Sequence, residues 1–555
     1  MTVITKTCRV SGKEFIVTDE DQQFYEKMGV PLPTLCPEER MRRRLAFRNE
    51  RNLYHRKCDL SGKELISNFS PDKPNKVYDQ KDWWSDKWDA LSYGMDFDFT
   101  RPFFDQFEEL LKKVPLPHVV GSIDIEESNC RYTNYAGDNK NCYLIFDSDF
   151  NEDCQYGEVI KHSKSCLDSS YLKSCELMYG CLDCHSCYNL KYSQDCTNSF
   201  DSFFLKNCIS CKNCFGCVGL VQKEYYIFNK PFSREEYQNF LKKFVAGKRS
   251  AVLDMQKKFE EFSTCFPVKY FHGIQIENSD GDYLSNVKDV HNCFDVGNSR
   301  DLHYCDSLYT ANDCMDVSSF GEKIELVYES GTVGINCTNI KFCHGIVNNC
   351  SDINYSMYCR SSQNLFGCVG IKRGNYTILN KKYTKEEYEF LLPRVIEHMK
   401  KTGELGEYFP MKLSPYCYNE CMSQEYFPIT KEETLKLGLK WFEPETQSHY
   451  QGQKIVTPEN IIDVDESILK QILTCNNCTK NYKINKMELD FYKNMGIPVP
   501  QICSHCRYKV RMKQKNPRQL LERNCSNCSK DIQTTYSNER VEKVYCEECY
   551  LKHVY

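Results

Sequence analysis

The sequence has no apolar run as long as a membrane span, and the stretch from Met1 to Val30 holds no apolar signal core. A membrane-spanning helix needs about 20 consecutive apolar residues, so we expect a soluble, cytoplasmic chain with no membrane partner. The usual marks of enzymes are missing too. None of the 12 histidines stands in a metalloprotease or triad context, and there is no phosphate loop and no dinucleotide glycine fingerprint. We therefore expect no enzyme and no small-molecule substrate. Parallel β-helices do host polysaccharide lyases, but no carboxylate spacing here points to one. Tryptophan is scarce, with four in 555 residues.

What the chain has is cysteine, 35 residues of it. In a reducing cytosol these are expected as thiols or metal thiolates and not as disulfides. From Asn129 to Gly219 the cysteines are spaced by multiples of three and each follows Asn, Asp, Ser or Gly, as in Asn141-Cys142 and Asp153-Cys154. Cys166, Cys187 and Cys208 are also 21 apart, as are Cys154, Cys175, Cys196 and Cys217. A period of about 20 to 25 residues is the mark of a solenoid. Short segments such as Cys142-Tyr-Leu-Ile-Phe146 then read as strands joined by turn residues, giving a parallel β-helix with small thiols stacked inside. Cys181, Cys184 and Cys187, and Cys208 to Cys217, imitate an iron–sulfur run. The same triplet phase continues through cysteines no cluster could use, which favours packing.

A shift of 151 carries Asn141-Cys142 onto Asn292-Cys293, Cys154 onto Cys305 and Phe215-Gly-Cys-Val-Gly219 onto Phe366-Gly-Cys-Val-Gly370. The array is thus repeated, each copy followed by a capping box, Ser233-x-x-Glu236 and Thr384-x-x-Glu387, that starts a helix. The second copy keeps fewer cysteines, as packing tolerates and a cluster would not.

The chemistry-bearing motifs lie at the C-terminal end. Cys475, Cys478, Cys503 and Cys506, and Cys525, Cys528, Cys546 and Cys549, form two pairs of Cys-x-x-Cys knuckles. Four thiolates make the closed tetrahedral shell of structural zinc, so we expect two zinc ions per chain. A shift of 467 lays Cys8 on Cys475, Met28-Gly29 on Met495-Gly496, Cys36 on Cys503 and Cys58 on Cys525, but puts Ser11, Glu39, Ser61, Asp79 and Asp82 on the remaining cysteines. The N-terminus reads as the same ribbon pair without tight zinc, held by packing.

Phe491-Tyr-Lys-Asn-Met-Gly496 followed by Cys503-x-x-Cys506-Arg507 resembles a family of zinc-ribbon domains. With Arg48-Asn-Glu-Arg51, Ser70-Pro-Asp-Lys-Pro74, Trp83-Trp-Ser-Asp-Lys-Trp88 and Tyr418-Asn-Glu420, nearly the whole chain looks like cysteine-rich proteins of small-genome, candidate-phylum bacteria. The resemblance implies zinc in the ribbons and no particular activity.

The expected fold is mainly β: two tandem parallel β-helix-like solenoids with intervening helices, flanked by N- and C-terminal zinc-ribbon pairs. Its segments are a degenerate ribbon pair (1–82), an aromatic cap (83–118) packed on the first coil, solenoid copies at 119–230 and 265–380, a helical segment (231–264), a helix with an irregular linker (381–465) and an intact ribbon pair (466–555). Cys417 and Cys421 are spaced too loosely for zinc and stay unassigned.

Charge is uneven. Cys36 to Cys58 carries eight Arg/Lys against three Glu, and Cys503 to Cys525 carries seven against one, although the chain totals -5. Basic segments on small rigid frames suit phosphate contacts. Arg42, Arg43, Arg44, Arg48 and Arg51, with Arg507, Lys509, Arg511 and Lys513, are the candidates for contact with RNA, DNA or the ribosome. Two readings compete with this nucleic-acid scaffold: a protein–protein assembly module, and a metal or iron–sulfur carrier using the cysteine columns.

Overall fold

Backbone conformation explains the triplet spacing. The computed structural model describes residues 3–443, 455 and 457–554. Through the first array a left-handed residue recurs every third position, as at Asn141, Leu144, Asp147, Phe150 and Asp153, with φ between 48° and 60°. Asn and Asp tolerate this region best, which is why they so often precede cysteine. The residue after each left-handed turn points inward, and every third residue from Cys130 to Cys217 is buried. Cysteine and serine suit these positions because each can close two hydrogen bonds. Ser148, for example, donates to the Phe146 carbonyl and accepts from the Ile160 N–H, while Cys175 donates to the Lys173 carbonyl and accepts from the Cys187 N–H. A backbone donor that strand pairing leaves over is thereby satisfied.

The repeat is shorter than the cysteine spacing suggested. Leu172 pairs with Cys184 and Cys184 with Cys196, all in parallel, so the step from rung to rung is 12 and not 21. Both numbers are multiples of three, so one triplet phase is compatible with either. Cysteines 21 apart are therefore not register partners. The first of two 11-stranded sheets runs from Asn134–Gly137 to Lys230–Pro231 and the second from Gly273–Glu277 to Lys381–Lys382, each ending in an antiparallel pair. The second array also holds rungs longer by one, Leu308 to Gly321, Ile324 to Cys337 and Cys337 to Cys350. There the spacing of left-handed residues stretches from three to four between Ser319 and Lys323, and elsewhere two consecutive residues are left-handed, as at Ile335 and Asn336 and at Asn348 and Asn349.

Twelve α-helices and four short antiparallel hairpins complete the described chain. Both capping boxes form, starting Arg234–Lys243 and Lys385–Thr402. The helical segment breaks at Phe244 and resumes as Arg249–Ser263. Of the irregular linker expected within 381–465, residues 444–454 and 456 lie outside the described residues; before them come two short α-helices, Met422–Tyr426 and Lys431–Lys436. No helix among the described residues is long and apolar enough to cross a membrane.

The terminal modules repeat each other. Helix Asp19–Met28 ends at Gly29 and helix Lys486–Met495 at Gly496, both glycines left-handed at φ 62° and 60°. Val77–Tyr78 pairs with Leu116–Pro117 just before the first array, and Lys543–Tyr545 pairs with Pro267–Lys269 just before the second. The aromatic cap departs from expectation. Lys372 of the second array lies over the rings of Trp83, Trp84 and Trp88, Gly370 faces Trp88, and Phe103 packs on Phe366. The tryptophans therefore cover the last rungs of the second array, not the first coil of the first. Aromatic residues state how much surface they need to bury, not which of two similar ends receives them.

Candidate metal centres and the basic linkers

Each C-terminal cluster is built by a hairpin knuckle and a helix start. Cys475 and Cys478 flank the turn after Leu473–Thr474, while Cys503 and Cys506 open the helix Ser504–Met512. Cys525 and Cys528 follow Leu521–Asn524, and Cys546 and Cys549 open Glu547–Val554. In each group the four sulfurs lie within 4.8 Å of one another. The Cys478–Cys503 and Cys528–Cys546 sulfur separations are both 3.7 Å. A tetrahedron with metal–sulfur bonds of about 2.3 Å has edges of about 3.8 Å, so each group fits one ion. One sulfur of each group is prepared for charge, while burial pushes Cys503 and Cys506 up. Burial alone would raise the Cys475 and Cys525 thiols, but backbone N–H groups aimed at them, among them those of Cys503 and Cys546, hold both down at about 6. A shell of four protein ligands leaves no open position for a reacting water.

The N-terminal counterparts keep the frame and change the chemistry. Ser11 Oγ lies 3.7 Å from Cys36 Sγ, the same edge with one sulfur replaced. In the second site Cys58 donates to Asp82 at 3.6 Å and accepts the Asp79 N–H at 3.2 Å. Lys87 meets Asp82 at 2.8 Å and Lys63 meets Asp79 at 3.4 Å. Ammonium groups here neutralise carboxylates that stand where thiolates would need a metal.

The linkers after these knuckles do not face outward. Arg40 and Arg44 of the helix Pro37–Leu45 share Asp316 of the second array at 2.8 and 3.2 Å. Arg507 and Arg511, their counterparts at the shift of 467, share Asp168 of the first array at 2.7 and 3.3 Å. Beyond each helix the chain crosses to the other array. Arg48 reaches Asp147 at 3.5 Å and Arg51 reaches Glu158 at 3.2 Å. Their counterparts Lys515 and Arg518 reach Asp295 at 3.2 Å and Asp306 at 2.6 Å. The aromatic faces correspond as well: Arg40 lies over Tyr304 and Arg507 over Tyr156, Arg48 over Tyr135 and Lys515 over Tyr283. Two linkers thus grip two arrays in a reciprocal crossed clamp.

Seven of the nine residues assigned to nucleic acid are thereby paired inside the protein. Arg42, Arg44, Arg48, Arg507 and Arg511 are each at most 9% exposed. Arg42 is bound to Tyr418 and Glu39, Arg43 to Glu407 and Arg51 to Glu158, which leaves only Lys509 and Lys513 of the nine candidates exposed. A guanidinium already desolvated against a buried carboxylate has nothing to offer a phosphate. The clamp also corrects the internal repeat. Asp147, Glu158 and Asp168 correspond to Asp295, Asp306 and Asp316 at a shift of 148, one triplet short of the shift read from the cysteines. The longer rungs of the second array restore 151 by Phe215 and Phe366. The acidic partners were missed because each lies far along the chain from its arginine; superposing the basic positions of both linkers at 467 was the available signal.

No family model matches the chain, and no curated protein does. Among solved structures, the crystal structure of a "putative acetyltransferase" from Desulfovibrio desulfuricans covers 48% of this chain and 78% of its own at 10% identity and a TM-score of 0.10. A likeness that slight carries no argument about fold or activity.

Proposed function

We propose that this chain is a non-enzymatic, zinc-stapled binding scaffold of the cytoplasm. Its two ladders wind as four-sided β-helical solenoids, and ribbon pairs at both ends, metal-bearing only at the C-terminal one, hold them side by side. The observation that carries this reading is the pair of closed four-cysteine shells, each placed directly before or after a helix or strand that contacts an array. A structural ion contributes folding free energy outright, here to the modules that brace the arrays. With most candidate arginines spent inside the molecule, a protein partner fits better than a nucleic acid. Elemental analysis should give two zincs per chain. Any partner co-purified from native lysate should survive nuclease. Four zincs, an iron–sulfur absorbance in anaerobically purified protein, or a partner lost on nuclease treatment would each count against this reading.

A further inference from the structure

Two motifs that the metal sites and the clamp leave unused meet in the fold. Lys73 of Ser70-Pro-Asp-Lys-Pro74 points its Nζ at Cys417 Sγ from 2.9 Å and at Glu420 Oε2 from 2.7 Å. Glu420 also accepts the Cys417 N–H at 2.7 Å and the Tyr54 hydroxyl at 2.7 Å, fixing all the groups in one geometry. Lys73, Cys417 and Glu420 are 9%, 6% and 3% exposed. The nitrogen–sulfur approach is unusual for this protein: among the described residues its other hydrogen bonds of that kind run from 3.2 Å, Asp79 to Cys58, to 3.5 Å, Cys187 to Cys175. Cys421, four residues on, turns its thiol to the Tyr418 carbonyl instead. A cavity of about 30 Å³ is lined by Tyr416 and Tyr418, the chain neighbours of Cys417, and by Cys421, though not by Cys417 or Lys73 themselves; it has room for one molecule the size of water or peroxide.

We propose that Lys73 and Cys417 are a modification site, joined under peroxide by a covalent nitrogen–oxygen–sulfur bridge. The Cys417 sulfur attacks one hydrogen peroxide, whose O–O bond breaks to give a sulfenic acid and water. Lys73 passes a proton to Glu420, and its freed amine attacks a second peroxide, whose O–O bond breaks to leave a hydroxide; the hydroxide takes the proton the nitrogen sheds and departs as water, giving a hydroxylamine, and Glu420 releases its proton to solvent. The hydroxylamine oxygen then displaces water from the sulfenic sulfur. One thiol, one amine and two peroxides thus become one bridge and three waters, sulfur and nitrogen each giving up two electrons. A thiol reductant reverses the sum, returning thiol, amine and water.

The bridge would fasten the N-terminal module, which has lost its metal ligands, to the segment that buttresses its linker. That segment already holds the linker through Ser414 on the Ala46 carbonyl, Ser423 on the Arg42 carbonyl and the Met422 N–H on the Arg48 carbonyl. The test is peptide mass spectrometry of the purified, metal-loaded protein after hydrogen peroxide, with and without dithiothreitol. The expected product is a crosslinked peptide pair carrying Lys73 and Cys417, heavier than the separate pair by one oxygen less two hydrogens, lost on reduction and absent from Cys417→Ser. A direct nitrogen–sulfur link, a Cys417–Cys421 disulfide, or oxidation confined to the exposed Cys265 with Lys73 free would overturn it. Because the readout is on the wild-type chain, misfolding of the variant leaves the result decisive.

Discussion

The two linkers, Cys36 to Cys58 and Cys503 to Cys525, share the basic positions that meet the arrays and make the same crossed grip, yet only one starts from intact four-cysteine shells. Arg40 and Arg44 hold Asp316 as Arg507 and Arg511 hold Asp168. Metal ligands are therefore separable from the clamp. What both ends retain is the set of charges that meets the arrays, and what one end has exchanged is the means of holding the knuckles. At Cys58 that means is a network of Asp79, Asp82, Lys63 and Lys87.

Removing the metal should separate the two ends most. Binding of structural zinc is worth about 10–16 kcal/mol in small ribbons at neutral pH. Strong chelation should therefore open the chain from Leu473 onward to limited proteolysis and leave Ile4 to Tyr78 resistant. The reverse exchange sharpens the comparison. Ser11→Cys with Glu39→Cys should rebuild a four-thiolate shell on the existing frame, read as a third zinc per chain by elemental analysis. Breaking the clamp should be severe at either end. The double variants Arg40→Met with Arg44→Met and Arg507→Met with Arg511→Met each remove both guanidiniums from a buried carboxylate, and stranding such a charge costs about 3–5 kcal/mol, seen as comparable losses in urea midpoint.

A smaller effect is expected at the junction of the C-terminal module with the second array. There His272 bonds Asp282 at 2.9 Å, stacked on Tyr283. Burial opposes its charge, but Asp282 and Asp195 overcome this and raise His272 to about 9. The unfolded value is about 6.5, so protonation favours the folded form. That contribution is complete below about pH 6.5 and fades as pH rises through about 9; thermal melts across this window should show it, and His272→Gln should flatten it. The mildest change is in the ladder. Cys187→Ala should cost about 1 kcal/mol as a small cavity, measured by urea unfolding, and full loss of folding would speak for a shared cluster instead.

The metal shells were legible in the sequence because ligand spacing within a knuckle is local: two cysteines three apart on a hairpin turn face one point. The inward triplet was legible for the same reason, since Asn or Asp before Cys marks a left-handed turn. Rung length was not, because 12 and 21 share the factor three and the cysteine columns were not the strand register. Nor was the destination of the arginines. A dense basic run ordinarily means a solvated face, and nothing near Arg40 or Arg507 in sequence announces Asp316 or Asp168, each buried in a distant array. The tryptophan cap failed in the same way, its receiving surface having a near twin in the other array.

The claim that the clamp stands with metal at one end and without it at the other is tested most directly by hydrogen exchange on the metal-loaded and the chelated protein. The prediction is that chelation strips protection from the helix Ser504–Met512 and leaves the helix Pro37–Leu45 protected. Equal loss at both helices would contradict it, and so would protection unchanged at both.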